Sequence, residues 1–170
     1  MRDQRPLPPK GAREDVILFN VGGFRFAIAA GAVSEIRSLE GLQPFAPGSG
    51  YMRITKVDFT LERGGVTYFI VDGGRHFHLA RLEEPSPARV LILRQEAVAV
   101  SVDSTDRMVE ISMLHALPQA FSGEERSWYR GLAVLNGDVV PVVNHNAFLS
   151  KAELVVLKTA ALRLKKAAAV

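Results

Sequence analysis

Apolar and polar residues alternate along this chain in short runs, and the runs come in pairs separated by glycine or asparagine. Val16 to Val21 reads as a first strand, Gly22 and Gly23 as a tight turn that tolerates positive φ, and Phe24 to Ala29 as the returning partner. The segment from Gly31 to Arg37 predicts a short helical turn with Val33 and Ile36 on one side. Gly41, Pro44, Pro47, Gly48 and Gly50 mark a loop. From Ile54 to Glu62 the alternation is strict, with Val57, Phe59 and Leu61 on one face and Lys56, Asp58, Thr60 and Glu62 on the other. Arg63, Gly64 and Gly65 then turn the chain into Val66 to Val71. Pro85 and Pro87 separate this half from a second, in which Arg89 to Leu93 and Ala97 to Val102 form another hairpin. Met108 to Leu117 is expected to be a strand running into a turn, and residues 120 to 130 a polar loop. Gly131 to Leu135 and Val139 to Val143 close the pattern around Asn136 and Gly137, a strong two-residue turn signal. Ser150 and Glu153 have the spacing of a capping box, and no helix breaker follows. Leu154, Leu157, Ala161 and Leu164 give that helix an apolar stripe, while Val155 and Leu162 point elsewhere. Such a helix is expected to dock on the body and fray after Arg163.

The pattern repeats at an offset of 72 residues. Phe26 to Ala30 aligns with Val98 to Val102, and Gly65 to Asp72 with Gly137 to Asn144. Two matches at one offset point to a duplicated unit, although two amphipathic strands always look somewhat alike. Two copies are too few for a solenoid. They predict two similar β subdomains, one spanning roughly 16–84 and the other 88–150.

Composition narrows the chemistry. Of 170 residues 48% are hydrophobic, enough for a core, and no run of about 18 apolar residues suggests a membrane span. The Pro-rich polar start, residues 1–15, is expected to be a disordered arm, and it lacks the apolar centre of a secretory signal. With no cysteine there can be no disulfide, thiolate nucleophile or thiolate metal site. A cytoplasmic location follows as the expectation. The formal net charge of +3 is unevenly spread: residues 154–170 carry four basic and no acidic groups, whereas residues 16–153 carry 13 basic and 15 acidic ones. A phosphate backbone needs a contiguous basic surface, which only the C-terminal segment offers.

Other clusters carry little chemistry. His76 and His78, two apart, would share a strand face with Asp72 as a possible metal pair, but His115 and His145 have no motif linking them to it. Glu124 and Glu125 lie in a polar stretch beside Arg126 and read as solvated. Gly48, Ser49 and Gly50 do not make a nucleophile elbow, and no Gly-rich phosphate cradle with lysine is present. Trp128 and Tyr129 beside Arg130 either close a barrel or form a binding hot spot. Nothing in this pattern points to catalysis, a cofactor or a bound metal.

Phe19, the Gly22 and Gly23 turn, Phe26 to Ala29 and then Val33, Glu35 and Ile36, followed by Val102 with Asp103 and by the closing run Arg130 to Val143, together resemble the CheW-like domain family of chemotaxis adaptors. The resemblance covers roughly residues 16–150. It implies a mainly β fold of two SH3-like five-stranded barrels in pseudo-twofold relation, here followed by a C-terminal helix over 151–170. It also implies a non-enzymatic adaptor that couples a chemoreceptor-like protein to a CheA-type histidine kinase, one barrel meeting the kinase's related regulatory domain, with array assembly possible. The partner-binding residues it implies are Val33, Glu35, Ile36, Arg63, Gly64, Val102, Asp103, Arg130 and Gly131. Glu35 and Arg63 would meet at a groove, either as an ion pair or as two solvated charges. The first hairpin departs from the family pattern. Where the family has Asn-Leu-Arg-Gly, then Pro and Asp-Leu, this chain has Leu61, Glu62, Arg63, Gly64, an extra Gly65, Phe69, and Gly73 after Asp72. The alternative function is binding of nucleic acid or an anionic surface through the basic C-terminal helix, for which Lys158, Arg163, Lys165 and Lys166 would supply the attraction.

Overall fold

The structure is a computed structural model that describes residues 13–46, 54–80 and 88–169. Its strands in chain order are β1 (Glu14–Val21), β2 (Phe24–Ala29), β3 (Val33–Arg37), β4 (Gln43–Pro44), β5 (Val57–Arg63), β6 (Val66–Asp72), β7 (Arg89–Leu93), β8 (Val98–Val102), β9 (Ser104–Ile111), β10 (Tyr129–Leu135) and β11 (Asp138–Val143). A four-residue helix α1 (Gly73–His76) follows β6, and the long helix α2 (Lys151–Ala168) ends the chain. The strands form a five-stranded sheet, β10-β11-β2-β1-β9, and a six-stranded sheet, β3-β7-β8-β6-β5-β4.

Three apolar clusters explain the near-continuous apolar runs of β1, β2, β6, β7 and β8. In the first sheet Val16, Leu18, Ala27, Ala133, Val140 and Val142 turn inward around a small core of their own. In the second, Leu61, Ile70, Val90, Ile92 and Ala99 do the same. The alternate residues, including Phe19, Phe26, Phe69, Leu91 and Val100, face across the gap and build the large central core. A strand whose two faces both meet a core cannot alternate apolar with polar residues.

The 72-residue offset recurs in the pairing. β5 and β10 lie 72 residues apart, as do the turns at Gly64–Gly65 and Asn136–Gly137 and the edge pairs Gln43 with Thr60 and His115 with Leu132. In both halves the second strand of the closing hairpin runs parallel to an opening hairpin. The opening hairpin, however, comes from the other half: β11 joins β2, and β6 joins β8. Each sheet therefore draws on both sequence halves, and the spans 16–84 and 88–150 do not coincide with the sheets.

Several local expectations change. In place of a helical turn over 31–37, a single 3-10 turn at Ala30–Ala32 leads into β3, which finds a partner in β7. A register shift in β5 between Val57 and Phe59 breaks the strict alternation, so that Thr60 is buried and Phe59 is exposed. The polar stretch expected as a loop contains a 3-10 helix, Gly123–Trp128. The two sheets curl, but their seams are not full ladders: one is met by the isolated His115–Leu132 bridge, the other by the two-residue β4. The expected mainly β fold with a C-terminal helix is thus present, its two units seen as curled sheets of five and six strands. Glu14 and Asp15, expected in the disordered arm, belong to β1, while residues 1–12 and the prolines at 85 and 87 lie outside the described residues.

Helix α2 has its capping box, with the Ser150 hydroxyl accepting from the Glu153 amide at 3.1 Å and Glu153 accepting from the Ser150 amide at 3.0 Å. Leu154, Leu157 and Ala160 enter the central core. Leu164, expected in that stripe, is largely exposed, and the helix runs beyond Arg163 to Ala168. Its far end is tied down. Lys165 Nζ reaches Glu62 Oε1 at 3.2 Å and donates to Thr67 Oγ1 at 3.2 Å, both on the β5–β6 hairpin.

Candidate docking site

Glu35 and Arg63 come from opposite sides of the six-stranded sheet. Curling of the sheet brings them together, with Arg63 Nε at 2.7 Å from Glu35 Oε2. Glu35 shares the register position of Ile92, and Arg63 follows Leu61 at strand spacing, so the pair lies over the mouth of the small core that Leu61, Ile92 and Ala99 fill. Both side chains are more than a third exposed, so the ion pair contributes only about 0–1 kcal/mol to stability. Its effect is positional, since it fixes one charge of each sign at the rim. The adjacent Gly64 and Gly65 adopt φ of +58° and +78° with open space around them. Glycine is required there by the backbone, not by crowding. Ile36 follows Glu35 and therefore points to the opposite face of β3, where it is 40% exposed.

The remaining resemblance-derived positions have structural surroundings. Val33 and Val102 are buried in the central core. Asp103 Oδ2 accepts from the Gly22 amide at 2.7 Å, and the Asp103 amide donates to Asn20 O at 2.9 Å, which locks the first hairpin turn to the start of β9. Arg130 forks onto Glu14, at 2.8 and 3.1 Å. A Cβ on Gly131 would stand 2.4 Å from the His115 carbonyl oxygen and 2.7 Å from Leu114 Cγ. Glu35, Ile36, Arg63 and Gly64 are therefore the members of the set that present surface at this end of the molecule.

The histidines do not gather. Asp72 caps α1 by accepting from the Arg75 amide, His76 is buried beneath the aromatic cluster, and His78 adopts φ +56° in the following turn. Among the described residues no three His, Cys, Asp or Glu side chains converge as a metal site would require. Trp128 is buried and packs on Phe77, His76 and His78.

Sequence reasoning missed one buried polar contact. Lys56 Nζ lies 3.3 Å from His76 Nδ1. An ammonium can only donate, so Nδ1 accepts and the ring proton sits on Nε2, which has no hydrogen-bond partner among the described residues and lies in the aromatic cluster. Burial, with Lys56 and His78 adding to it, lowers the His76 pKa to about 3. Burial also lowers the Lys56 pKa, opposed by Glu153 and Glu124. Only tertiary structure places Lys56 beside His76. The partner of Arg130 was missed as well, because Glu14 read as part of a disordered arm.

This frame of two curled sheets exchanging hairpins, with a charged rim and a docked terminal helix, can be set against known proteins. The family model for the CheW-like domain matches residues 15–153. The chain belongs to the CheW-like domain family. Among solved structures, the scaffolding protein TtCheW from Thermoanaerobacter tengcongensis superposes with a TM-score of 0.69 at 11% identity, over 82% of this chain and 95% of that one. At that identity the likeness is one of fold. No curated protein matches the chain in sequence. CheW-like domains are non-enzymatic scaffolds of chemotaxis signalling, and this chain has their mainly β architecture with one C-terminal helix. No helix among the described residues is long and apolar enough to cross a membrane.

Proposed function

We propose that this CheW-like chain is a non-enzymatic coupling adaptor in the cytoplasm, binding a CheA-type histidine kinase and a chemoreceptor-like protein and supporting array assembly. The observation that carries the reading is the Glu35–Arg63 pair at the rim of the six-stranded sheet, with Gly64 beside it and Ile36 on the opposite strand face. The pair contributes little to folding, so its worth lies in presenting a fixed pattern of charge to a partner. The buried or internally bonded members, Val33, Val102, Asp103, Arg130 and Gly131, shape the surface from below. A standard interface of about 1,200–2,000 Å² supplies the affinity through complementarity, without any catalytic group.

The test is a pull-down with CheA-type kinases and receptor tips. Glu35→Arg and Arg63→Glu each place like charges at the rim and are expected to abolish the complex, while urea midpoints stay within about 1 kcal/mol of the parent. The double exchange restores an opposite-charge pair and separates partner recognition from rim geometry. If both single reversals bind as the parent does, the rim is not the docking site. If no kinase or receptor is retained by the parent, the adaptor reading itself fails.

A further inference from the structure

One side of α2 enters the central core through Leu154, Leu157 and Ala160. Val155 and Leu162 are 64% and 61% exposed on the face turned away from Leu154, Leu157 and Ala160. The outer seam continues through positions 155, 159, 162, 166 and 169, in alternating steps of four and three, which is the spacing by which one helix packs along another. Thr159 does not interrupt it. Its hydroxyl is satisfied by donating to Val155 O at 2.9 Å, and the side chain is small and exposed. Ala169 is equally small, and the methylene stem of Lys166 covers apolar surface while its ammonium stays in water.

The charge beside this seam has one sign. Residues 154–170 contain no acidic side chain, and Lys151, Lys158 and Lys166 are exposed around the outer face. Glu153 is committed to the capping box, and Lys165 is committed to Glu62 and Thr67. A second copy of α2 would bring cation against cation, so the seam does not favour self-association. The match to the CheW-like domain stops at Glu153. We propose that the outer face of α2 is a docking seam for an acidic amphipathic helix of a partner protein, with aliphatic residues meeting Val155 and Leu162 and carboxylates meeting Lys158 and Lys166. A bilayer is the poorer fit, because small residues alternate with the two large aliphatics and suit a close helix more than insertion into acyl chains.

The probes are two synthetic three-heptad helical peptides with leucine seams, one flanked by glutamate and the other by lysine, titrated against the full chain by fluorescence anisotropy. The expected result is a preference of at least about tenfold for the glutamate peptide. That preference should be lost in Val155→Glu and in Leu162→Glu, and reversed in the Lys158→Glu, Lys166→Glu double variant. These positions are exposed, so unchanged urea midpoints are required alongside. Equal binding of the two peptides, binding of neither, or binding that survives Val155→Glu and Leu162→Glu overturns the proposal. Association with phosphatidylglycerol vesicles without any peptide preference overturns it in favour of a lipid surface. Kinase and receptor pull-down on the same variants reports separately on the adaptor reading.

Discussion

His76 makes folding of this chain sensitive to acid. Its ring is 4% exposed, accepts from Lys56 at Nδ1 and stacks near Phe148 and Trp128 at centroid distances of 4.7 and 5.4 Å. Burial disfavours the imidazolium, and Lys56 at 3.3 Å and His78 add to it, so its pKa falls from 6.5 to about 3. In the unfolded chain the same ring takes a proton at about pH 6.5, so between these values the unfolded state binds more protons and stability declines as pH falls. The contribution is complete above pH 6.5. It is reduced by about 2 kcal/mol at pH 5 and falls at about 1.4 kcal/mol per pH unit below that, the loss levelling off at about 5 kcal/mol below pH 3. The control is His76→Phe, since position 148, its counterpart in the repeat, holds Phe148. At pH 7 the variant gives up one hydrogen bond, about 1 kcal/mol, and keeps an aromatic ring in the cluster. Urea unfolding of both proteins from pH 7 to pH 4.5 is the assay. His145, whose pKa burial also lowers, and Glu62, whose pKa the Thr67 hydroxyl lowers, acidify alike in the two proteins and cancel in the difference. The variant should gain about 2 kcal/mol on the parent between pH 7 and pH 5, so the two stability curves cross. Parallel curves would refute the argument, as would an imidazole resonance of His76 that titrates near pH 6.5 in the folded protein.

Gly131→Ala should cost about 3 kcal/mol in urea unfolding, because the new Cβ meets the His115 carbonyl at 2.4 Å in a paired segment that cannot retreat without breaking the bridge to Leu132. Leu157→Ala should cost about 2–5 kcal/mol, since its side chain is fully buried in the central core, whereas Leu162→Ala, one face over, should stay within about 0.5 kcal/mol. Equal melting of these two variants would show that α2 does not dock as described. For the same reason, removing residues 154–170 tests partner binding poorly, as the truncated body would expose the core that Leu154, Leu157 and Ala160 cover.

Much of the hairpin pattern was legible because a strand with a turn at each end carries its own signal. Asn136 and Gly137, with φ of +51° and +84°, turn β10 into β11 as their identity demands. The family was legible from the same stretches. What could not be read locally was anything decided by a partner distant in sequence. Val33 to Arg37 has too few residues to declare a period, and it became a strand because β7 offered an unpaired edge. Glu14 looked like part of a polar arm until β9 paired with β1 and Arg130 reached it. Lys56 and His76 lie 20 residues apart and carry no mutual pattern at all.

The 72-residue offset sets the Glu35–Arg63 rim against unlike residues on the other sheet. Counterparts of Glu35 and Arg63 fall at Arg107 and Leu135, on β9 and β10. The rim of the five-stranded sheet thus carries a cation in place of Glu35 and no matched pair, and its neighbouring charges pair elsewhere, Arg25 with Asp106 at 3.3 Å and Arg13 with Glu110 at 3.4 Å. A cleft there is lined by Leu18, Arg107, Val109, Leu135 and Val140. The two rims share one central core, so grafting the pair as Arg107→Glu with Leu135→Arg should be tolerated in stability within about 1 kcal/mol. Such a graft should also give the five-stranded rim the charge pattern of the six-stranded one, so that, on the adaptor reading proposed above, pull-down of kinase or receptor should increase. A graft that unfolds the chain would show instead that the two rims are not equivalent and that the repeat is confined to backbone topology.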